Sequence, residues 1–138
     1  MSEKLNCVLL VDDDEATNFI NKMVVEHAGA SNHIKVVLNG RDALKYLTNQ
    51  DEFANEEINP KPQLILIDIN MPVMDGWEFL EEYHRQQLHV KGQVVIVMLS
   101  TSMNPDDRAR AENIPEISGF KEKPLTLELL DEIMTEYF

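Results

Sequence analysis

Short apolar runs alternate along this chain with stretches of helical spacing. Residues 7–11 (Cys7-Val8-Leu9-Leu10-Val11), 64–67 (Leu64-Ile65-Leu66-Ile67, ending on Asp68) and 94–99 (Val94-Val95-Ile96-Val97-Met98-Leu99) are unbroken, the pattern of strands buried on both faces of a sheet. Residues 33–38 and 117–120 predict two weaker strands. After the first run, Ala16, Phe19, Ile20, Met23, Val24 and His27 recur at three and four, which predicts an amphipathic helix packed through those residues and ended by Gly29. The Asn39-Gly40 turn leads into a second helix with Ala43, Leu44 and Leu47 inward. Residues 48–62 are acidic and irregular, a solvated or partner-specific insertion with a further helical turn expected around Phe53.

Trp77, Leu80, Tyr83 and His84, with Phe79 beside them, mark a third helix, and Gly92 closes the connection after it. Asn104 as cap, Pro105 in the first turn and Asp106 and Asp107 against the helix dipole open a fourth. Only Ala109, Ala111 and Ile114 are available to bury it, so it should be the least firmly packed. Thr126 opens a fifth helix with Leu127, Leu130, Ile133, Met134 and Tyr137 inward.

Strands alternating with helices imply right-handed parallel βα units, hence an α/β, doubly wound, five-stranded parallel sheet with five helices covering both faces. The strand carboxyl ends then share one edge, which gathers Asp12, Asp13, Asp68, Ser100 and Lys123. If the strand order is the flavodoxin-like 2-1-3-4-5, strands one and three are neighbours and their acids flank the switch point where such sheets bind ligands. Strands lie about 4.8 Å apart, so the fifth is about 10 Å from Asp68, within reach of an extended lysine and a phosphoryl group together.

At 138 residues, 43% hydrophobic and 27% charged, the chain fits one domain, 1–138, with a single core. A net charge of −13 disfavours nucleic acid and anionic membrane surfaces as partners. No apolar stretch approaches the length of a membrane span and no secretory leader is present, so a soluble, cytoplasmic protein is expected. The single cysteine, Cys7, rules out an intramolecular disulfide and fits a buried strand position.

Carboxylates gathered in a dry crevice repel by up to about 4 kcal/mol per pair at 4 Å and an effective dielectric near 20, so the site should take up a proton or a cation. An all-oxygen donor set suits Mg²⁺. Zinc has no site, since His27, His33, His84 and His89 lack ligand spacing. With Mg²⁺ held by Asp12 and Asp13, Asp68 can attack phosphorus, Lys123 can pair with the phosphoryl oxygens and Ser100 can donate to another. Singly, each residue has an ordinary explanation as a cap, turn or solvated charge. Their conjunction at strand ends has few.

The whole chain resembles a two-component response-regulator receiver domain, CheY-like in fold. The resemblance is carried by Leu10-Val11-Asp12-Asp13-Asp14, by the stretch Leu66-Ile67-Asp68-Ile69-Asn70-Met71-Pro72-Val73-Met74-Asp75-Gly76, by Met98-Leu99-Ser100-Thr101-Ser102, and by Phe120-Lys121-Glu122-Lys123-Pro124. It implies that Asp68 is the phospho-acceptor, charged by a sensor histidine kinase or phosphotransfer protein. It implies Mg²⁺ among Asp12, Asp13, Asp68 and the Asn70 main-chain carbonyl, a switch pair Ser100 and Phe120, and Lys123 on the phosphoryl group before a cis proline bond.

A stand-alone receiver is expected, a non-enzymatic signalling domain that docks a downstream protein through helix four, strand five and helix five. Asn70 and Ser102 occupy the positions that tune dephosphorylation. Serine stands at 100 where threonine is commoner, and phenylalanine at 120 where many members have tyrosine. Asp14 has no metal contact assigned. An aspartyl-phosphate phosphatase of the haloacid-dehalogenase type remains an alternative, but its Asp-x-Asp-x-Thr/Val motif fails here: Ala16 fills the last slot from Asp12, and Glu15 the second from Asp13. A non-phosphorylated pseudo-receiver scaffold is the other.

Overall fold

The computed structural model describes residues 4–55, 57–88, 94–101 and 104–138. The apolar runs form β1 (Val8–Val11), β2 (Ile34–Val37), β3 (Leu64–Asp68), β4 (Val95–Ser100) and β5 (Gly119–Glu122), interleaved with α1 (Glu15–Ala28), α2 (Gly40–Leu47), α3 (Gly76–Arg85), α4 (Pro105–Glu112) and α5 (Leu127–Tyr137). All strand pairs are parallel and the order is β2-β1-β3-β4-β5, as the sequence pattern led us to expect. Val11 pairs with Ile67 and Asp68 with Leu99, so the strands end nearly level and their terminal residues share one edge.

Alternation along the strands sorts the core into two layers. Leu9, Val11, Ile65, Ile67, Ile96 and Met98 face α2, α3 and Ala111 of α4; Val8, Leu10, Leu64, Leu66, Val97 and Leu99 face α1 and α5. These strand residues are at most 2% exposed, which is why the runs carry no polar alternation.

Local chemistry fixes the helix ends. Asn39, Asn104 and Thr126 cap α2, α4 and α5 by accepting from the backbone N–H of the second or third helical residue. Asp75 and Glu78 form a reciprocal capping box at α3. Gly29, at φ 63°, closes α1. The 48–62 connection is tied down: a 3₁₀ turn at Asp51–Phe53 sets Phe53 edge-on to Tyr46 with centroids 5.2 Å apart, and the Tyr46 hydroxyl donates to the Pro60 carbonyl at 2.6 Å.

Several expectations need correction. In α1 the buried residues are Asn18, Asn21 and Val25, whereas Phe19 (66% exposed), Ile20 and Met23 face outward. On the inward face Asn18 donates to the Asp12 main-chain oxygen in the β1–α1 loop. Strand β5 begins at Gly119 instead of residue 117, since Ile117 still closes a turn onto the Ile114 carbonyl; as an edge strand it tolerates Lys121 and Glu122, which hid its length. Leu127, in the first turn of α5, and Ala109, on α4, are exposed, leaving Ala111 as the buried residue of α4. His84 is exposed and pairs with Glu116. Gly92, His89 and Ser102 lie outside the described residues. No helix among the described residues is long and apolar enough to cross a membrane.

Candidate functional site

The site forms where β1, β3 and β5 end. One residue past β1, the Asp12 N–H still reaches the Val37 carbonyl (3.2 Å), which holds the loop in the sheet for one more rung. Asp12 is buried and each of its oxygens has a donor. Oδ1 accepts from the Asp14 N–H at 2.9 Å, Oδ2 from Lys123 Nζ at 2.7 Å, and the main-chain oxygen from Asn18 Nδ2 at 2.7 Å. Asp68 closes β3 and its Oδ1 lies 3.1 Å from the same ammonium. Asp13, exposed, completes a group in which one carboxylate oxygen from each of Asp12, Asp13 and Asp68 lies within 4.8 Å of the others.

Lys123 reaches the acids because the Lys123 N–H donates to the Ser100 carbonyl at 2.7 Å, fastening the end of β5 to the end of β4. The Lys123-Pro124 peptide is cis. Gly76 is required on the far side: a Cβ there would sit 2.8 Å from the Asp68 carbonyl oxygen.

Burial pushes the Asp68 carboxyl above its ordinary range and Asp12 adds to that, with Lys123 opposing both. Burial works against the Lys123 charge, but its bonds and proximity to Asp12 and Asp68 outweigh it, and the ammonium is held above its usual pKa. Lys123 is thus the cation on which the acidic cluster rests. The donors are all oxygen and anionic, they are preassembled around a bound positive charge, and they suit a hard divalent cation.

The remaining expected residues occupy other positions. By alternation Ser100, buried, and Phe120, half-buried, fall on the sheet face of Met98, towards α2, α3 and α4; Asp12, Asp68 and Lys123 share the parity of the α1 and α5 face. Asn70, exposed in the loop after β3, has a main-chain carbonyl that accepts no hydrogen bond among the described residues. Asp14 caps α1 and accepts from the Thr17 hydroxyl. A cleft of about 220 Å³ beside the cluster is lined by Thr17, Ile20, Asn21, Thr101, Lys123 and Leu125. Sequence reasoning missed Asn18, whose only signal was an asparagine six residues beyond Asp12.

This arrangement can be compared with known proteins. Residues 8–135 match the family model described as the response regulator receiver domain. The chain belongs to that family. A two-component response regulator from Cytophaga hutchinsonii superposes with a TM-score of 0.84 at 30% identity, covering 97% of each chain. Response regulator Rcp1 of Synechocystis is 34% identical over 110 residues, 78% of this chain and 71% of that protein. The phosphorylated cyanobacterial phytochrome response regulator RcpA superposes with a TM-score of 0.70 at 28% identity, covering 95% of this chain and 89% of that one. As a receiver domain it is a signalling module of two-component systems, with the CheY-like fold expected from its sequence.

Proposed function

We propose that this receiver accepts a phosphoryl group on Asp68 and that Mg²⁺, held by Asp12, Asp13, Asp68 and the Asn70 main-chain carbonyl, is required for the transfer. The reading rests above all on Lys123 Nζ, which bridges Asp12 Oδ2 (2.7 Å) and Asp68 Oδ1 (3.1 Å) with Asp13 alongside. The metal, when bound, neutralises the charge between two approaching anions. An Asp68 carboxylate oxygen attacks the phosphorus of a phosphohistidine donor; the new P–O bond forms as the P–N bond breaks, and the imidazole nitrogen keeps the electron pair. Lys123 then moves from Asp12 towards the phosphoryl oxygens, where its raised pKa keeps it charged.

The donor, a sensor histidine kinase or a phosphotransfer protein, approaches along α1, which exposes Phe19, Ile20 and Met23 and contributes Ile20 to the cleft beside Lys123. Ser100 and Phe120 carry the change across the sheet to a groove of about 220 Å³ lined by Ile117, Phe120, Lys121, Glu136 and Tyr137, on the α4–β5–α5 face, where a downstream protein docks. That RcpA has been crystallised phosphorylated supports the same chemistry here. The chain is an acceptor and not a turnover enzyme.

Intact mass after incubation with acetyl phosphate and Mg²⁺ tests this. One added phosphoryl group that is absent from Asp68→Asn and from a metal-free control is expected. No adduct, or an adduct indifferent to both, refutes the reading, and sustained release of phosphate from phosphomonoesters would favour a phosphatase instead.

A further inference from the structure

Asn18 sits six residues beyond Asp12, at a position of α1 that faces the sheet and where an apolar side chain would pack at less cost. It is 3% exposed; its Oδ1 is buried and accepts no hydrogen bond among the described residues, while its Nδ2 donates to the Asp12 main-chain oxygen at 2.7 Å. A buried amide with half its capacity unmet is a poor packing choice, so the residue type is explained by the single bond it makes. That bond holds the peptide between Asp12 and Asp13. The β1–β3 register ends at Val11 and Ile67, so this carbonyl lies past the ladder, and Asn18 supplies its donor.

The Asp12–Asp13 peptide sets the direction in which both carboxylates leave the main chain. We propose that Asn18 is a positioning residue for the metal site: its amide fixes that peptide so that the Asp12 and Asp13 oxygens converge with Asp68. The inference rests on the receiver chemistry above and adds a residue to it. Partners that orient metal ligands typically contribute 10- to 100-fold in metal affinity, and a residue acting through a peptide belongs at the lower end, about tenfold.

The test is Mg²⁺ titration by calorimetry of the wild type, Asn18→Leu, Asn18→Ala and Asn21→Ala, with urea unfolding of each in the absence of Mg²⁺. Asn21 is 5% exposed on the same helix and, among the described residues, makes no bond to the β1–α1 loop, so it controls for loss of a buried amide. A dissociation constant raised about tenfold in both Asn18 variants, with Asn21→Ala within about twofold of wild type, is the expected result. Asn18→Leu should keep a near-wild-type unfolding midpoint while losing affinity, a split that a packing role does not produce; should it fail to fold, Asn18→Ala decides the matter. Wild-type affinity in the Asn18 variants, or equal weakening by Asn21→Ala, overturns the positioning role alone. Absence of Mg²⁺ binding by the wild type overturns the function reading and this inference with it.

Discussion

Replacing the proposed phospho-acceptor should stabilise the resting protein. In Asp68→Asn the side chain keeps its size and loses its charge. Carboxylate oxygens 4.8 Å apart repel by about 3.5 kcal/mol at an effective dielectric of 20, and Asp68 faces buried Asp12 within that distance, whereas its pair with exposed Asp13 is screened by solvent. Its attraction to Lys123 at 3.1 Å, about 5 kcal/mol on the same footing, offsets this repulsion. Burial of the charge is the larger effect and outweighs the attraction that remains, so the balance favours the neutral side chain by on the order of 1 kcal/mol.

The pH dependence follows from the same charge. Because the folded pKa of Asp68 is raised, the wild type has its full stability contribution from this group below the unfolded value of 3.8 and loses it as pH rises through the folded value. Urea unfolding followed by the fluorescence of Trp77, the sole tryptophan, should therefore show Asp68→Asn more stable at pH 7 without Mg²⁺, with the advantage shrinking towards pH 4. Saturating Mg²⁺ should narrow the gap, since the wild type gains more from binding. A variant no more stable than wild type at pH 7, or an advantage that grows on acidification, would refute the electrostatic account.

Lys123→Met should cost about 3 kcal/mol or more at pH 7 without Mg²⁺, as expected when one partner of a buried ion pair is removed, and Mg²⁺ should restore part of it in the same urea assay. Since the folded pKa of Lys123 is raised above 10.5, the stability it provides is complete below that value and is lost as pH rises through the folded one; an alkaline decline present in wild type and absent in Lys123→Met checks the sign. Gly76→Ala should destabilise by about 1 to 3 kcal/mol and slow phosphoryl uptake, because the new methyl meets the Asp68 carbonyl oxygen and Met98 Cε, both at 2.8 Å; a wild-type melting temperature would contradict the crowding. Arg110 lies 4.5 Å from the centre of the Trp77 ring, so Arg110→Ala should cost about 0.5 to 1 kcal/mol, raise amide exchange in the thinly packed α4 and shift Trp77 emission to the red.

By itself the sequence determined the central strands, the strand–helix alternation and the acids and lysine of the candidate site. β1, β3 and β4 are covered on both faces, so their apolar runs are continuous and need no periodicity to be recognised. The site residues were legible because a parallel sheet places every strand end on one edge, so that a carboxylate ending an apolar run is positioned without knowledge of its partners. Tertiary structure alone decided which face of α1 turns inward, where edge strand β5 begins and what holds the acids together. Apolar periodicity reports only local preference. The bond from Asn18 to the Asp12 carbonyl, and the reach of Lys123 across 111 residues of chain to Asp12, exist only once the sheet has brought these groups within hydrogen-bond distance. The energy of such contacts depends on that separation and on burial, and neither is encoded at any one position of the chain.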